Sequence, residues 1–71
     1  MEKFGVKLKT LRKQHGMTQR ELASTLGIAH GFIGELETGR KMNPSVHLLT
    51  KLTRLFDVSF DQLMDDRVEL E

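Results

Sequence analysis

The sequence predicts an all-α domain of five short helices, and three observations predict it. Apolar residues recur at spacings of three and four along most of the chain, which lines them up on one side of a helix. The punctuation that helices need is also present. Thr18 with Glu21 and Ser59 with Gln62 have capping-box spacing, and Gly16, Gly27 and Gly39 stand where helices should stop. Before the tail, no stretch alternates apolar and polar residues as a half-buried strand does.

The elements follow in order. Phe4, Leu8 and Leu11 share one face of a first helix from about Lys3 to Gln14, with Lys7, Lys9 and Lys13 read as lying outside that stripe. Gly16 closes it. A second helix opens at Thr18, turns Leu22, Ala23 and Leu26 inward, and ends at Gly27. A third spans roughly Ala29 to Thr38, with Ile33 and Leu36 inward and Gly39 as its stop. Ala29 is a poor N-cap, costing about 1 kcal/mol relative to Ser or Thr. Gly31 and Gly34 cost roughly 1 kcal/mol each within a helix, so this element depends on packing. Arg40 to Pro44 form a polar loop. Ser45 caps a fourth helix reaching about Phe56, with Leu48, Leu49, Leu52, Leu55 and Phe56 at helical spacing. Ser59 caps a brief fifth helix carrying Phe60, Leu63 and Met64. The tail from Asp65 is acidic and marginal. A single domain over residues 1–65 with an acidic tail at 66–71 is expected, and no internal repeat is visible.

Length and composition agree. The chain has 71 residues, which suits one domain and leaves little mass for an active-site cleft. Hydrophobic residues are 38% and charged residues 30%, a globular balance. Cysteine is absent, which excludes disulfides and cysteine-ligated zinc and is compatible with a reducing compartment. No apolar run exceeds two residues, so there is no transmembrane span or secretory signal core. With four Phe and no Trp or Tyr, an aromatic platform for single-stranded nucleic acid is excluded.

The formal net charge of +1 conceals a division. Residues 1–41 carry eight basic and four acidic side chains; residues 42–71 carry three basic and six acidic. A molecule so polarised can present its first half to a polyanion. A merely solvated surface reads equally well on charge alone.

Thr18 to Gly39 places two short helices around a turn that begins with glycine, which is helix-turn-helix spacing. Gly27 tolerates positive φ, so the chain can reverse tightly. Ala23 is small enough for the next helix to cross close to it, and Ile28, Ile33 and Leu36 bury the inner face. An ordinary helical hairpin has the same spacing.

Taken with its neighbours, this stretch resembles the Cro-like, xenobiotic-response-element family of helix-turn-helix regulators. The resemblance rests on Phe4-Gly5, Leu8, Leu11-Arg12, Gly16-Met17-Thr18-Gln19, Glu21-Leu22-Ala23, Leu26-Gly27-Ile28, Ile33, Glu37, Gly39, Asn43-Pro44-Ser45, Leu49, Leu52, Phe56, Val58-Ser59 and Leu63. It covers nearly all of the chain outside the tail. It implies a compact five-helix, phage-repressor-like DNA-binding domain, acting as a homodimer on a two-fold symmetric operator. It also implies a structural ion pair between Arg12 and Glu37, and a cytoplasmic regulator of bacterial or phage type associated with the nucleoid.

Periodicity orients the third helix. At about 100° per residue, with Ile33 at the core direction, Leu36, Glu37, Ala29 and His30 fall within roughly 60° of it. Gly31, Glu35 and Thr38 lie opposite, with Gly34 and Phe32 on the flanks. That outward face is what a recognition helix inserts into a major groove. There Phe32 suits a thymine methyl, Glu35 a cytosine amino group, and His30 a guanine acceptor or a phosphate. Gln19 stands where a helix start favours phosphate, with Thr18 beside it as the cap. Arg40 and Lys41 follow the recognition helix as phosphate contacts. The sequence departs from the family at Ala29, which lacks a polar cap, and at Gly31, Phe32 and Gly34, which replace polar residues. The face therefore has few side-chain donors.

His15, His30 and His47 lack metal-ligand spacing, and Asp65-Asp66 reads as solvated tail. No enzyme, no metal and no cofactor is expected, and no membrane partner. Phe56, Val58, Phe60, Val68 and Leu70 are candidates for a dimer surface, with packing onto the same chain's core as the alternative. The whole chain is expected to serve the DNA-binding fold, without an effector domain. The competing class is a protein-interaction module, such as an antitoxin or adaptor.

Overall fold

Most of the helix boundaries fall where a local signal marks them. A computed structural model describes residues 3–41 and 44–70, and among these it holds five helices and no strand. They are α1 (Phe4–Gln14), α2 (Gln19–Leu26), α3 (His30–Thr38), α4 (Val46–Phe56) and α5 (Phe60–Met64). Met42 and Asn43 of the expected loop, and Met1, Glu2 and Glu71 at the ends, lie outside the described residues. Thr18 and Ser59 close complete capping boxes, and Ser45 accepts a hydrogen bond from the Leu48 amide. Ala29 stands at the N-cap of α3 without a side-chain bond, so α3 has no local anchor at its start. Asp57 ends α4 in the left-handed conformation, at φ 54°.

The inner faces meet in one core. Leu8, Leu22, Ile33, Leu36, Leu52 and Leu63 are the apolar side chains most fully removed from water, and they come from all five helices. Each contributes about 1.5–3 kcal/mol of transfer free energy. α3 is the central element, packed against both α1 and α2. Its contact with α1 is close enough to require a glycine. A Cβ on Gly5 would stand 2.5 Å from Leu36 O and 2.7 Å from Glu37 O, both of them backbone atoms.

The structure corrects the reading of α1. Lys7 does not lie outside the stripe; its exposure is 0%. Three residues after Phe4 and four before Leu11, it occupies the buried face, and its aliphatic stem packs there. The ammonium donates to Gln62 O at 2.6 Å, to Asp65 O at 2.8 Å and to Val68 O. Three N–H groups meet three carbonyls at the end of α5 and in the following turn, where the Asp65 carbonyl also accepts from the Val68 amide at 3.0 Å.

That clamp also changes the reading of the tail. Residues 65–70 lie against the body, with Val68 and Leu70 half-buried. Gln62 Nε2 donates to Leu70 O at 3.0 Å, and Asp65 pairs with Arg67 at 3.0 Å on the surface. The division expected after residue 65 falls inside this packed segment.

Candidate nucleic-acid interface

α2 and α3 are joined by a three-residue turn, Gly27 to Ala29. Gly27 takes φ 74°, the left-handed value that reverses the chain without a Cβ clash. The Ile28 amide then donates back to Ala23 O at 3.0 Å, and the Ile28 side chain rests on the core. Lys51 of α4 donates its ammonium to Leu26 O at 3.0 Å. This bond satisfies an end carbonyl of α2 and fixes the turn from outside the motif.

A second set of contacts fixes the angle between α3 and the first two helices. Arg12 Nε donates to Glu37 Oε2 at 2.6 Å, and Nη2 to Oε1 at 3.1 Å. The two side chains are only 10% and 3% exposed. Arg12 Nη1 also donates to Met17 O at 2.8 Å, at the approach to α2. The hydrogen bond that Arg12 donates to Glu37 is the main cause that holds the Arg12 pKa above its ordinary value, ahead of the opposing burial. Gln19 Nε2 then donates to the same Glu37 Oε1 at 3.1 Å. α1, the start of α2 and the last turn of α3 therefore converge on one carboxylate.

With the inner side of α3 so engaged, its other side is left largely uncovered by the described residues. Gly31, Gly34, Glu35, Thr38 and Arg40 line an open groove along it. Nothing stands within 4 Å of a Cβ placed on Gly31. At Gly34 the neighbour is the Gln19 amide, whose Oε1 would lie 3.5 Å from such a Cβ. Thr38 donates its hydroxyl to Glu35 O at 3.3 Å, and the Lys41 amide donates to the same carbonyl at 3.1 Å. Arg40 and Lys41 are exposed at the exit of the helix.

Several candidate residues have duties within the chain. The Thr18 hydroxyl accepts from the Glu21 amide at 3.0 Å, and the Thr18 amide donates to Glu21 Oε1 at 2.8 Å. Gln19 is half-buried, with one amide proton committed to Glu37. Phe32 leans partly back onto the core, which leaves only part of its ring for the groove. His30 is exposed as the first residue of α3, not turned toward the core as its angle suggested.

The apolar candidates for a dimer surface separate. Phe56 is 4% exposed and belongs to the core, its ring centroid 4.8 Å from that of His15. Val58 and Leu70 are half-buried against the same core, so packing within the chain accounts for them. Val68 is half-buried and lends its carbonyl to Lys7. Phe60 is the exception, 54% exposed at the start of α5.

Sequence reasoning missed Lys7, Lys51 and the steric role of Gly5. The signal for Lys7 was its i+3 spacing from Phe4. Lys51 and Gly5 act between distant segments and left no local sign.

The helix-turn-helix family profile matches residues 8–63. The chain belongs to the helix-turn-helix family. Its members are DNA-binding transcriptional regulators of the Cro-like, xenobiotic-response-element type, and the family is not enzymatic. The transcriptional regulator SinR of Bacillus subtilis (strain 168) is 34% identical over 68 residues, which is 96% of this chain and 61% of SinR. The helix-turn-helix chain thus spans about three fifths of the length of that relative. An HTH-type regulator from Archaeoglobus fulgidus is 39% identical over 57 residues, 80% of either chain. Among solved structures, SinR in complex with DNA superposes with a TM-score of 0.79 at 34% identity, over 87% of this chain and 98% of that one. The P22 c2 repressor with a synthetic operator gives a TM-score of 0.83, covering 92% and 97%; at 22% identity it speaks for the fold alone.

Proposed function

We propose that this chain binds duplex DNA sequence-specifically through the outward side of α3 and regulates transcription, acting as a repressor by occupancy and as a homodimer on a two-fold symmetric operator. The observation that carries the reading is the open groove along Gly31, Gly34, Glu35, Thr38 and Arg40, which among the described residues is approached at Gly34 by the Gln19 amide and is open at Gly31. A similar protein, SinR, has been solved with DNA, and 98% of that chain is covered by this one.

In this reading the side chains divide into two kinds. Glu35 accepts from a base, which carries sequence information; Phe32 supplies apolar contact from the flank; His30 and Thr38 stand at either end. Gln19, Arg40 and Lys41 meet phosphates, which position the protein without reading sequence. The bare backbone at Gly31 and Gly34 lets α3 approach the base edges closely. One helix makes few contacts, so two copies on half-sites about one helical turn apart provide the affinity. Of the apolar candidates, Phe60 is the side chain available for that pairing.

The competing reading, a protein-interaction module, draws support from the same face. Gly31 and Gly34 contribute no side-chain donor, and Glu35 contributes only an acceptor. Salt separates the two. Neutralising about four to six phosphates per dimer gives a log–log slope of affinity against salt of roughly −4 to −5. Selection from a random duplex pool should recover an inverted repeat. Glu35→Ala should relax preference at one position of each half-site, whereas Gln19→Ala should weaken all duplexes alike. Duplex binding without a salt slope, or indifference to both substitutions, overturns the proposal.

A further inference from the structure

The start of α1 lies beside the exit of α3, although thirty-odd residues separate them in sequence. Gly5 brings them together, since its missing side chain lets α1 close onto the carbonyls of Leu36 and Glu37. Lys3, Phe4, Gly5, Leu36, Gly39 and Lys41 line one small, largely apolar cleft at this junction. Lys3 and Lys41 are both exposed there, and the neighbouring Arg40 lines the groove along α3. Among the described residues, none of these three cations takes part in an ion pair. The carboxylate nearest in sequence on the inner side, Glu37, is held by Arg12 and Gln19. Among the described residues the Lys3 side chain makes no hydrogen bond.

We infer that Lys3 is a phosphate contact of the DNA site, joining Arg40 and Lys41 in a basic flank at the C-terminal end of α3. This rests on the reading of α3 as the groove-inserted helix, and it extends that reading to an element outside the helix-turn-helix. Gln19 sits against Gly34, midway along α3, and serves the backbone on the α2 side. Lys3, Arg40 and Lys41 serve it at the exit of α3. The cleft between the two lysines suits this ligand: its apolar floor matches the face of a deoxyribose, and its cationic rims match the phosphates on either side. The cations also lie near the negative end of the α3 dipole, which favours positive charge there in the free protein.

The test compares Lys3→Gln, Lys3→Arg and Lys9→Gln with the wild type. Binding to one fixed duplex is measured across a salt series, and circular dichroism confirms the fold of each variant. Lys9 is also exposed on α1, but it projects from a different side of the helix, so it controls for net charge. Lys3→Gln should flatten the log–log salt slope by about 0.9 for each bound copy, with affinity down several-fold at low salt. Lys3→Arg should keep the wild-type slope, and Lys9→Gln should leave it nearly unchanged. If Lys3→Gln and Lys9→Gln shift the slope equally, the charge acts at long range and the contact is wrong. If the wild type binds duplex with a steep slope but Lys3→Gln matches it, the inference falls while the DNA reading stands. A wild type that shows no salt-dependent duplex binding overturns both.

Discussion

The core accepts two basic residues, and each illustrates a different way to bury charge. Arg12 is matched by a carboxylate, while Lys7 is matched by backbone carbonyls alone. Lys7→Met keeps the stem and removes the donor. It leaves the Gln62 and Val68 carbonyls without the lysine, while the Asp65 carbonyl keeps only the Val68 amide, and an orphaned buried group costs about 1–3 kcal/mol. Because the turn can open and hydrate, the expected loss is roughly 2–4 kcal/mol in total, read by urea denaturation. Amide exchange should accelerate in residues 63–68 ahead of α2 and α3. Asp65 gives a second effect on the same segment. The hydrogen bond from the Arg67 guanidinium, and then that from its amide, hold the Asp65 carboxyl at about 2, against an ordinary 3.8. A carboxyl depressed in the folded state stabilises above its ordinary value and loses that contribution as the pH falls toward the folded value. Tail docking should therefore be fully supported above about pH 4 and weaken between there and about pH 2. The pair is exposed, so the effect stays local. A carboxyl titration by NMR should show Asp65 raised toward the ordinary range in Arg67→Ala, with the retained amide of residue 67 still holding it somewhat below.

At the scale of elements, α3 shows why packing has to complete what propensity leaves undone. It has two interior glycines and no side-chain cap, yet it sits at the centre of the fold because α1 and α2 both hold it. The approach of α1 is the sensitive contact. Gly5→Ala sets a methyl against two backbone carbonyls, which cannot rotate away as a side-chain end would. Overpacking of this kind costs about 1–3 kcal/mol or more, and thermal melts should show it. A larger side chain at Gly31, which faces open solvent, should cost the fold nothing or stabilise it slightly. The helices themselves were legible in the sequence, because caps and stops act over three or four residues. Thr18, Ser45, Ser59, Gly27 and Gly39 all occupy the helix boundaries their local chemistry suggested. The outward side of α3 was legible too, once Ile33 marked the inward one. Lys7 was misread because residue type was set above spacing. Gln19 and Glu37 are 18 residues apart, and Lys51 and Leu26 are 25 apart, so neither contact leaves a periodic trace. Phe56 and Leu70 were ambiguous for a related reason: an apolar residue announces that it needs a partner without saying whose.

For the molecule as a whole, the distinction between Phe56 and Phe60 becomes a test of assembly. Phe56→Ala should cost about 3–5 kcal/mol of stability, because the ring is part of the core. Phe60→Ser should leave the melting temperature nearly unchanged, since more than half of that residue already meets water. If the proposed dimer uses the surface around α5, sedimentation equilibrium should show weaker self-association in Phe60→Ser alone. Equal self-association in Phe60→Ser and wild type would move the dimer surface elsewhere.

The single Glu37 oxygen that receives both Arg12 and Gln19 has a further consequence, for transplantation. Residues 18–39 are not a self-sufficient cassette. Grafted into a foreign scaffold without an arginine at the place of Arg12, they would bring a buried carboxylate with one weak donor in place of three. Leaving such a charge without its main partner costs about 3–5 kcal/mol. A graft that carries α1 along should keep its fold and its α2–α3 angle, whereas the bare motif should give broad, exchanging amide signals until Glu37 is replaced by an apolar residue of similar size.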